Sequence, residues 1–292
     1  MAYAVVAGKI STSAPLGMPS FSRPEPVTDE EASERTERLR AMREGRIGTV
    51  HSWELVTSVD GPGTRLTIFV AGCALRCQYC HNPDTWNRRH GEERPVEKVL
   101  AKIDRYHRVF DATGGGLTIT GGEPLLQPQF VERVFAWCRE RDIHTALDTS
   151  GFLGARASDR LLDNTSLVLL DVKSGLPEVY KRATRRELEP TLKFGRRLAQ
   201  RGNKIWVRFV LVPDLTDGEE NVDAVADYVA SLQDLGPGGV VERVEVLPFH
   251  QMGKEKWEDL GEEYTLADTH PPDDDLTARV RGQFAERGLT VY

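Results

Sequence analysis

From about residue 66 onward, short apolar runs alternate with stretches of helical spacing, and the period switches roughly six times. The runs at 66–70, 117–120, 145–148, 167–172, 205–212 and 241–247 read as strands. The later ones are rich in Val and Leu, as strands covered on both faces are. Between them, apolar residues recur at helical spacing, first at Val99, Ile103 and Tyr106 within 96–110. Further helices are expected near 128–141, 188–200, 221–235 and 275–287. Roughly six βα units in this order predict an α/β protein whose right-handed parallel sheet curls into an incomplete barrel. Glycines and polar residues gather where the strands end, and in such folds the loops after the strands build the active site.

The first 45 residues have another texture. Ser, Pro and Gly dominate up to Pro26, as in a flexible tail. Thr28 then precedes a charged helical stretch through Met42, with Glu31 at capping-box spacing. The reading is a flexible, partly helical extension over 1–45 and a folded domain over 46–292. Met1 to Ala7 is too short an apolar run, and lacks the basic start, for an export signal.

Composition narrows the partners. A formal net charge of −7 argues against nucleic acid, whose phosphates require a basic surface. No apolar run reaches the length of a membrane span. The chain has 4 cysteines, too few for a disulfide framework, which places it in a reducing compartment, the cytoplasm.

Three of those cysteines, Cys73, Cys77 and Cys80, lie in AGCALRCQYCHNP directly after the first strand. Such a soft thiolate trio suits zinc or an iron–sulfur cluster. Several readings compete. Cys77, Cys80 and His81 spell the haem-attachment pattern CxxCH, which belongs to exported proteins and leaves Cys73 unexplained. Zinc could take the three cysteines with His81, although structural zinc sites usually draw on two separated pairs. A four-iron cluster held by three cysteines would keep one iron open for a ligand, unlike an electron-transfer cluster closed by four. Buried cysteines acting as small apolar residues would have no reason to cluster.

The CxxxCxxC spacing, with Tyr79 before the last cysteine, resembles the radical S-adenosylmethionine superfamily. Around it, VDGPGTR, CHNPDTW and LPFHQMGKEKW are similar to the activating enzymes of glycyl radical enzymes, the pyruvate formate-lyase activating enzyme family above all. The likeness runs from about Arg46 to the C-terminus. It implies a partial (β/α)6 TIM-like barrel, one [4Fe-4S] cluster on Cys73, Cys77 and Cys80, and S-adenosylmethionine on the open iron. It further implies a 5′-deoxyadenosyl radical that installs a glycyl radical on a partner enzyme, most simply pyruvate formate-lyase. The electron would come from a flavodoxin- or ferredoxin-type reductant. No cysteine lies between Cys80 and Gly122, so the additional cluster domain found in some related activases has no ligands here.

The remaining site residues follow from the same likeness, each beside a plainer use. TGGEPL could be a turn before a helix; the resemblance makes Gly122 and Glu123 cofactor contacts, with Gly122 offering its backbone. Asp171 and Lys173 share one side of a strand end, with Val172 on the other, and could simply pair. The resemblance has Lys173 meet a carboxylate, Asp171 a ribose hydroxyl, and Val172 contribute backbone. Asp148 and Thr149 could form a turn; the likeness assigns them, with the Leu169 carbonyl and Asp171, to a monovalent cation. His250 would lie against the adenosyl part, Tyr79, Cys80 and His81 would give backbone contacts to adenine, and Asp60 and Arg208 would face the incoming protein loop. Cys138 reads as a packed helix residue. Two alternatives stay open at this point: a radical enzyme acting on a small molecule, and a zinc-binding regulatory protein.

Overall fold

The computed structural model describes residues 28–57 and 60–292. The tail reading for the segment up to Pro26 lies outside the described residues. The chain divides into two units, the first ending at Glu37 and the second running Arg38–Tyr292. In the first, the capping box forms as expected. The Glu31 N–H donates to Thr28 Oγ1 at 3.2 Å, and the Thr28 N–H donates back to Glu31 Oε2 at 2.9 Å, opening α1 (Asp29–Arg43).

After α1 come β1 (Ile47–Thr57), β2 (Thr64–Val70), β3 (Glu92–Pro95), α2 (Val96–Asp104), α3 (His107–Thr113), β4 (Gly116–Gly121) and α4 (Pro128–Arg139). They are followed by β5 (His144–Thr149), α5 (Asp159–Asp163), β6 (Leu167–Asp171), α6 (Pro177–Thr184), α7 (Glu189–Arg201) and β7 (Ile205–Leu211). The chain ends with α8 (Glu219–Gln233), β8 (Val241–Pro248), α9 (Lys254–Asp259) and α10 (Asp274–Ala285). One sheet contains all eight strands in the order β3-β1-β2-β4-β5-β6-β7-β8. From β2 to β8 every pairing is parallel, which is the expected six-stranded set.

Two strands were not expected. β1 runs antiparallel to β2, and β3 antiparallel to β1. A bulge between Val50 and Ser52 shifts the β1 register and breaks the alternation that would have marked it. β3, EERP, is a charged edge strand ending in proline and carries no apolar signal. The helix expected over 96–110 is two helices, broken at Arg105 and Tyr106, and the break sets the Tyr106 ring 6.4 Å from Phe110.

Side-chain alternation sorts the sheet into two faces. Leu66, Ile68, Leu117, Ile119, Val168, Leu170, Val207 and Phe209 point outward and are buried under the helices. Phe130, Val131, Val134, Phe135 and Cys138 form the buried face of α4 against them, at helical spacing. The other face is polar: Arg65, Thr67, Thr118, Asp148, Asp171, Arg208 and Glu245, with Ala146, Leu167, Leu169 and Trp206 as its apolar patch.

That inner face is concave, and one contact proves it. Asp60 accepts a hydrogen bond from Thr67 Oγ1 on β2 at 3.1 Å and pairs with Arg208 on β7 at 3.3 Å. In a flat sheet β2 and β7 would lie about 19 Å apart, four strand spacings, too far for one carboxylate to touch both. The sheet therefore curls, and β3 and β8 remain as its two edges. Among the described residues no helix is long and apolar enough to cross a membrane.

At the N-terminal end of the strands Arg65 is fully buried. Its guanidinium donates to Thr118 Oγ1 (2.6 Å), to the Pro62 carbonyl (3.0 Å), and to the Leu117 and His144 carbonyls. His144 has a buried Nδ1 with no hydrogen-bond partner. Burial first, and the Arg65 charge second, push its pKa down to about 4. The unfolded chain therefore binds a proton here at pH values where the folded chain does not. The stability contributed is full above the ordinary histidine pKa and is lost as pH falls toward 4. We expect His144→Gln to flatten the acid limb of the stability profile in that window by about 2 kcal/mol, measured by denaturant unfolding from pH 4 to 7. An unchanged profile would show that this imidazole is not held neutral.

Candidate active site

The loop after β2 leaves the sheet, and its backbone groups find partners further along the same loop and in the loop after β4. The Gly72 N–H donates to the Thr85 carbonyl (2.7 Å) and the Cys73 N–H to the Trp86 carbonyl (3.1 Å). From the loop after β4, the Gly122 N–H reaches the Val70 carbonyl (2.9 Å) and the Glu123 N–H the Gly72 carbonyl (2.8 Å). This seam requires glycine. Gly121 has φ +110°, and a Cβ on Gly122 would lie 2.3 Å from the Gly72 carbonyl oxygen.

Cys77 is buried and Cys73 and Cys80 are half-buried. Burial pushes all three thiols up, Cys80 to about 12, so they ionise only when a metal takes them. Hydrogen-bond donors already face two of the sulfurs. The Leu75 N–H lies 3.4 Å from Cys73 Sγ, and the Asn82 N–H and Trp86 indole draw the Cys80 thiol back down. Three soft thiols on one short loop suit an iron–sulfur cluster, and the Leu75 N–H and the Trp86 indole beside their sulfurs are donors of the kind that cluster thiolates accept.

Glu123 is fully buried and its carboxylate is fully used. It accepts from Thr149 Oγ1 (2.6 Å), Ser150 Oγ (2.5 Å), the Ser150 N–H (3.1 Å) and the Leu125 N–H (3.1 Å). Burial raises its pKa, and these donors oppose the rise. The side chain thus ties the loop after β4 to the end of β5. Thr149 is spent in the same bond. Its hydroxyl lies on the opposite face of β5 from Asp148, so of the residues expected around a cation, Asp148 and Asp171 share a face and the Thr149 side chain does not.

Lys173 and Asp171 do pair, at 2.8 Å, with Lys173 nearly buried. Burial would lower the lysine pKa, but the Asp171 carboxylate outweighs it and raises it well above the usual value. Its ammonium lies 5.6 Å from the Tyr79 ring centroid. Tyr79 is buried with Leu75, Val212 and Phe249, and its buried hydroxyl has no hydrogen-bond partner. Arg208 is the hub of the lumen. It pairs with Asp60 (3.3 Å), Asp148 (3.1 Å) and Glu245 (3.1 Å). Burial pushes the Asp148 pKa up to about 7, Arg208 resists, and the Asp171 and Asp60 charges add to the rise.

The stretch after β8 closes the site. The His250 and His81 rings stack with centroids 4.1 Å apart, and the buried His250 Nδ1 has no partner. Lys256 and Trp257, which sequence reasoning did not single out, latch onto the cysteine loop. Lys256 Nζ donates to Asn82 Oδ1 (2.8 Å) and pairs with Asp84 (3.1 Å), while Trp257 Nε1 donates to the Cys80 carbonyl (2.9 Å). Trp257 also packs edge-on against Trp86, with centroids 4.8 Å apart. The motifs CHNPDTW and LPFHQMGKEKW are two halves of one contact. Their shared signal was the spacing of Gly253, Lys256 and Trp257 after His250. The fourth cysteine, Cys138, is buried in the outer core beneath α4.

Residues 67–226 match the model of the Radical SAM superfamily. The chain is 38% identical over 247 residues to the pyruvate formate-lyase 1-activating enzyme of Escherichia coli strain K12, covering 84% of this chain and 98% of that protein. It is 42% identical over 227 residues to the pyruvate formate-lyase-activating enzyme of Clostridium pasteurianum, covering 78% and 92%. Among solved structures, Streptococcus suis SuiB bound to precursor peptide SuiA superposes with a TM-score of 0.58 at 15% identity, covering 94% of this chain and 56% of that one. That likeness shows the fold.

Every donor around Glu123 points at a carboxylate oxygen, so an amide in its place would set an N–H group against N–H and O–H groups. We expect Glu123→Gln to cost about 2 kcal/mol in thermal unfolding, and Thr149→Val about 1 kcal/mol. Wild-type stability in Glu123→Gln would contradict this role as a tie between the two loops.

Proposed function

We infer the chemistry from a fixed premise: the chain belongs to the radical SAM superfamily and, within it, to the pyruvate formate-lyase activating enzyme family. Membership makes S-adenosylmethionine and a [4Fe-4S] cluster its cofactors. The activity is the activation of a glycyl radical enzyme, pyruvate formate-lyase, by an oxidoreductase. The observation that carries this reading is three cysteines, with no fourth beside them, at the mouth of a curled parallel sheet. Held by Cys73, Cys77 and Cys80, the cluster with S-adenosylmethionine would supply the one-electron reduction and the radical chemistry needed to remove a hydrogen atom from a glycine Cα of the partner.

The roles of this chain's residues follow as proposals. Cys73, Cys77 and Cys80 would hold the cluster, and the seam through Gly72 would keep their loop rigid. Gly122 would offer backbone to the methionyl amino group, with Glu123 fixing that backbone from beneath. An ammonium has three donors, so Lys173 can keep Asp171 and still take a carboxylate. Asp171 and the Val172 backbone would hold the ribose side. The unpartnered His250 Nδ1 is available to the adenosyl part, and the backbone of Tyr79, Cys80 and His81 to adenine. Asp60 and Arg208 would orient the partner's loop in the lumen, whose Ala146, Leu169 and Trp206 exclude water.

A monovalent cation beside the cofactor remains part of the proposal. Asp148 and Asp171 share a face closely enough for one charge to raise the pKa of the other, and a cation held there with the Leu169 carbonyl and the Thr149 backbone would relieve that repulsion. The electron donor is proposed to be a flavodoxin- or ferredoxin-type protein, and the compartment the cytoplasm. The domain is proposed to start at residue 46, between the end of α1 and the start of β1, with 1–45 as an extension.

Anaerobically reconstituted protein, a reductant and S-adenosylmethionine should raise a glycyl doublet in the electron paramagnetic resonance spectrum of pyruvate formate-lyase. Cys77→Ser should lose both the cluster iron and the doublet. Cofactor cleavage with a persistently silent partner would instead point to a small-molecule substrate.

A further inference from the structure

Arg76 and Trp86 flank the three cysteines, and neither is a ligand or a cofactor contact in the roles assigned above. Arg76 is half-buried within the loop itself. Its Nη1 donates to the Cys73 carbonyl (3.0 Å) and the Leu75 carbonyl (2.7 Å), and its guanidinium lies 4.9 Å from the centre of the Trp86 ring. Main-chain bonds hold both residues in place. The Arg76 N–H donates to the Thr184 carbonyl (3.0 Å), and the Trp86 carbonyl accepts the Cys73 N–H (3.1 Å). The Trp86 indole N–H then lies beside the Cys80 sulfur. Its ring packs edge-on with Trp257, whose own N–H donates to the Cys80 carbonyl (2.9 Å). Cys80 thus has one indole at its sulfur and another at its carbonyl.

Packing against Trp257 needs only a ring, and stapling two carbonyls needs only a neutral amide. What Arg76 and Trp86 add is a positive charge beside the loop and an N–H at a sulfur. Both act in one direction: the Arg76 charge favours the Cys77 thiolate, and the Trp86 N–H favours the Cys80 thiolate. A guanidinium over an indole also draws electron density from the ring, which strengthens its N–H as a donor. An electron taken up by an iron–sulfur cluster adds negative charge that its thiolates share, so a nearby cation and hydrogen bonds to sulfur favour the reduced form.

We propose that Arg76 and Trp86 are positioning residues that set the reduction potential of the cluster, holding it above the value that three thiolates in a buried loop would give. The proposal rests on the function inferred above, since it needs a cluster on Cys73, Cys77 and Cys80. The electron comes from an external low-potential reductant, which is oxidised by one as the cluster is reduced by one.

The test is a redox titration of the anaerobically reconstituted holoenzyme without S-adenosylmethionine, poised with dithionite and mediator dyes and read from the resonance of the reduced cluster. Arg76→Gln and Trp86→Phe should each make reduction about threefold less favourable. The double variant should make it about tenfold less favourable, which lowers the midpoint by about 59 mV. Arg76→Lys keeps the charge and should recover most of the shift seen in Arg76→Gln. Wild-type protein carrying 15N-indole tryptophan should show hyperfine coupling between a label and the reduced cluster, and Trp86→Phe should lose it. Iron content separates tuning from holding. Wild-type midpoints in variants that keep their iron would overturn the proposal and leave the inferred function standing. Loss of iron with an unshifted midpoint in the cluster that remains would overturn it too, since the two residues would then only hold the loop. The same follows if the labelled wild type shows no coupling. A wild-type protein that takes up no cluster would remove the inferred function, and the proposal with it.

Discussion

Three thiolates can fix only three corners of a four-iron cluster, so the loop that carries them must be rigid without the help of a fourth ligand. That rigidity is supplied by hydrogen bonds between loops. Gly72 receives the Glu123 N–H on one side and gives its own N–H to Thr85 on the other. Trp257 and Lys256 hold the far end of the loop through the Cys80 carbonyl and the Asn82 side chain. The Glu123 carboxylate, with its four donors, anchors the middle piece to β5. The ties come from within the cysteine loop itself and from the loops after β4 and β8, and a curled parallel sheet is what brings such loops to one mouth.

Charge is arranged by the same geometry. The lumen below the mouth holds Asp60, Asp148, Glu245 and Asp171, and Arg208 and Lys173 are the cations that pair with them. Burial would neutralise a lone carboxylate in such a place; around Arg208 it leaves Asp148 poised at about 7. The concave face is therefore polar and largely occupied by its own ion pairs. A peptide loop entering it would exchange partners with groups already oriented, at little cost in ordering them.

What the sequence made legible was local. The cysteine spacing, the GGEP turn and the six parallel strands are short-range patterns, and each appears where it was expected. β1 was hidden because its bulge at Val50 breaks the period, and β3 because an edge strand of charges and proline has no apolar signature. The Arg208 hub could not be seen, since its partners come from a loop, β5 and β8 and meet only when the sheet curls. Asp171 and Lys173 had two readings, a simple pair or cofactor ligands; the structure pairs them at the mouth, and the two uses are compatible. Thr149 was assigned to a cation by the family resemblance; its hydroxyl is bonded to Glu123, which leaves its backbone for that role.

The central claim is an iron without a protein ligand, open to the amino acid end of S-adenosylmethionine. Electron–nuclear double resonance on the reduced, reconstituted protein with S-adenosylmethionine labelled with 15N at its amino group tests it directly. The account predicts hyperfine coupling between the label and the cluster, which appears only when the cofactor is added. No coupling, from a cluster whose resonance is indifferent to the cofactor, would contradict it.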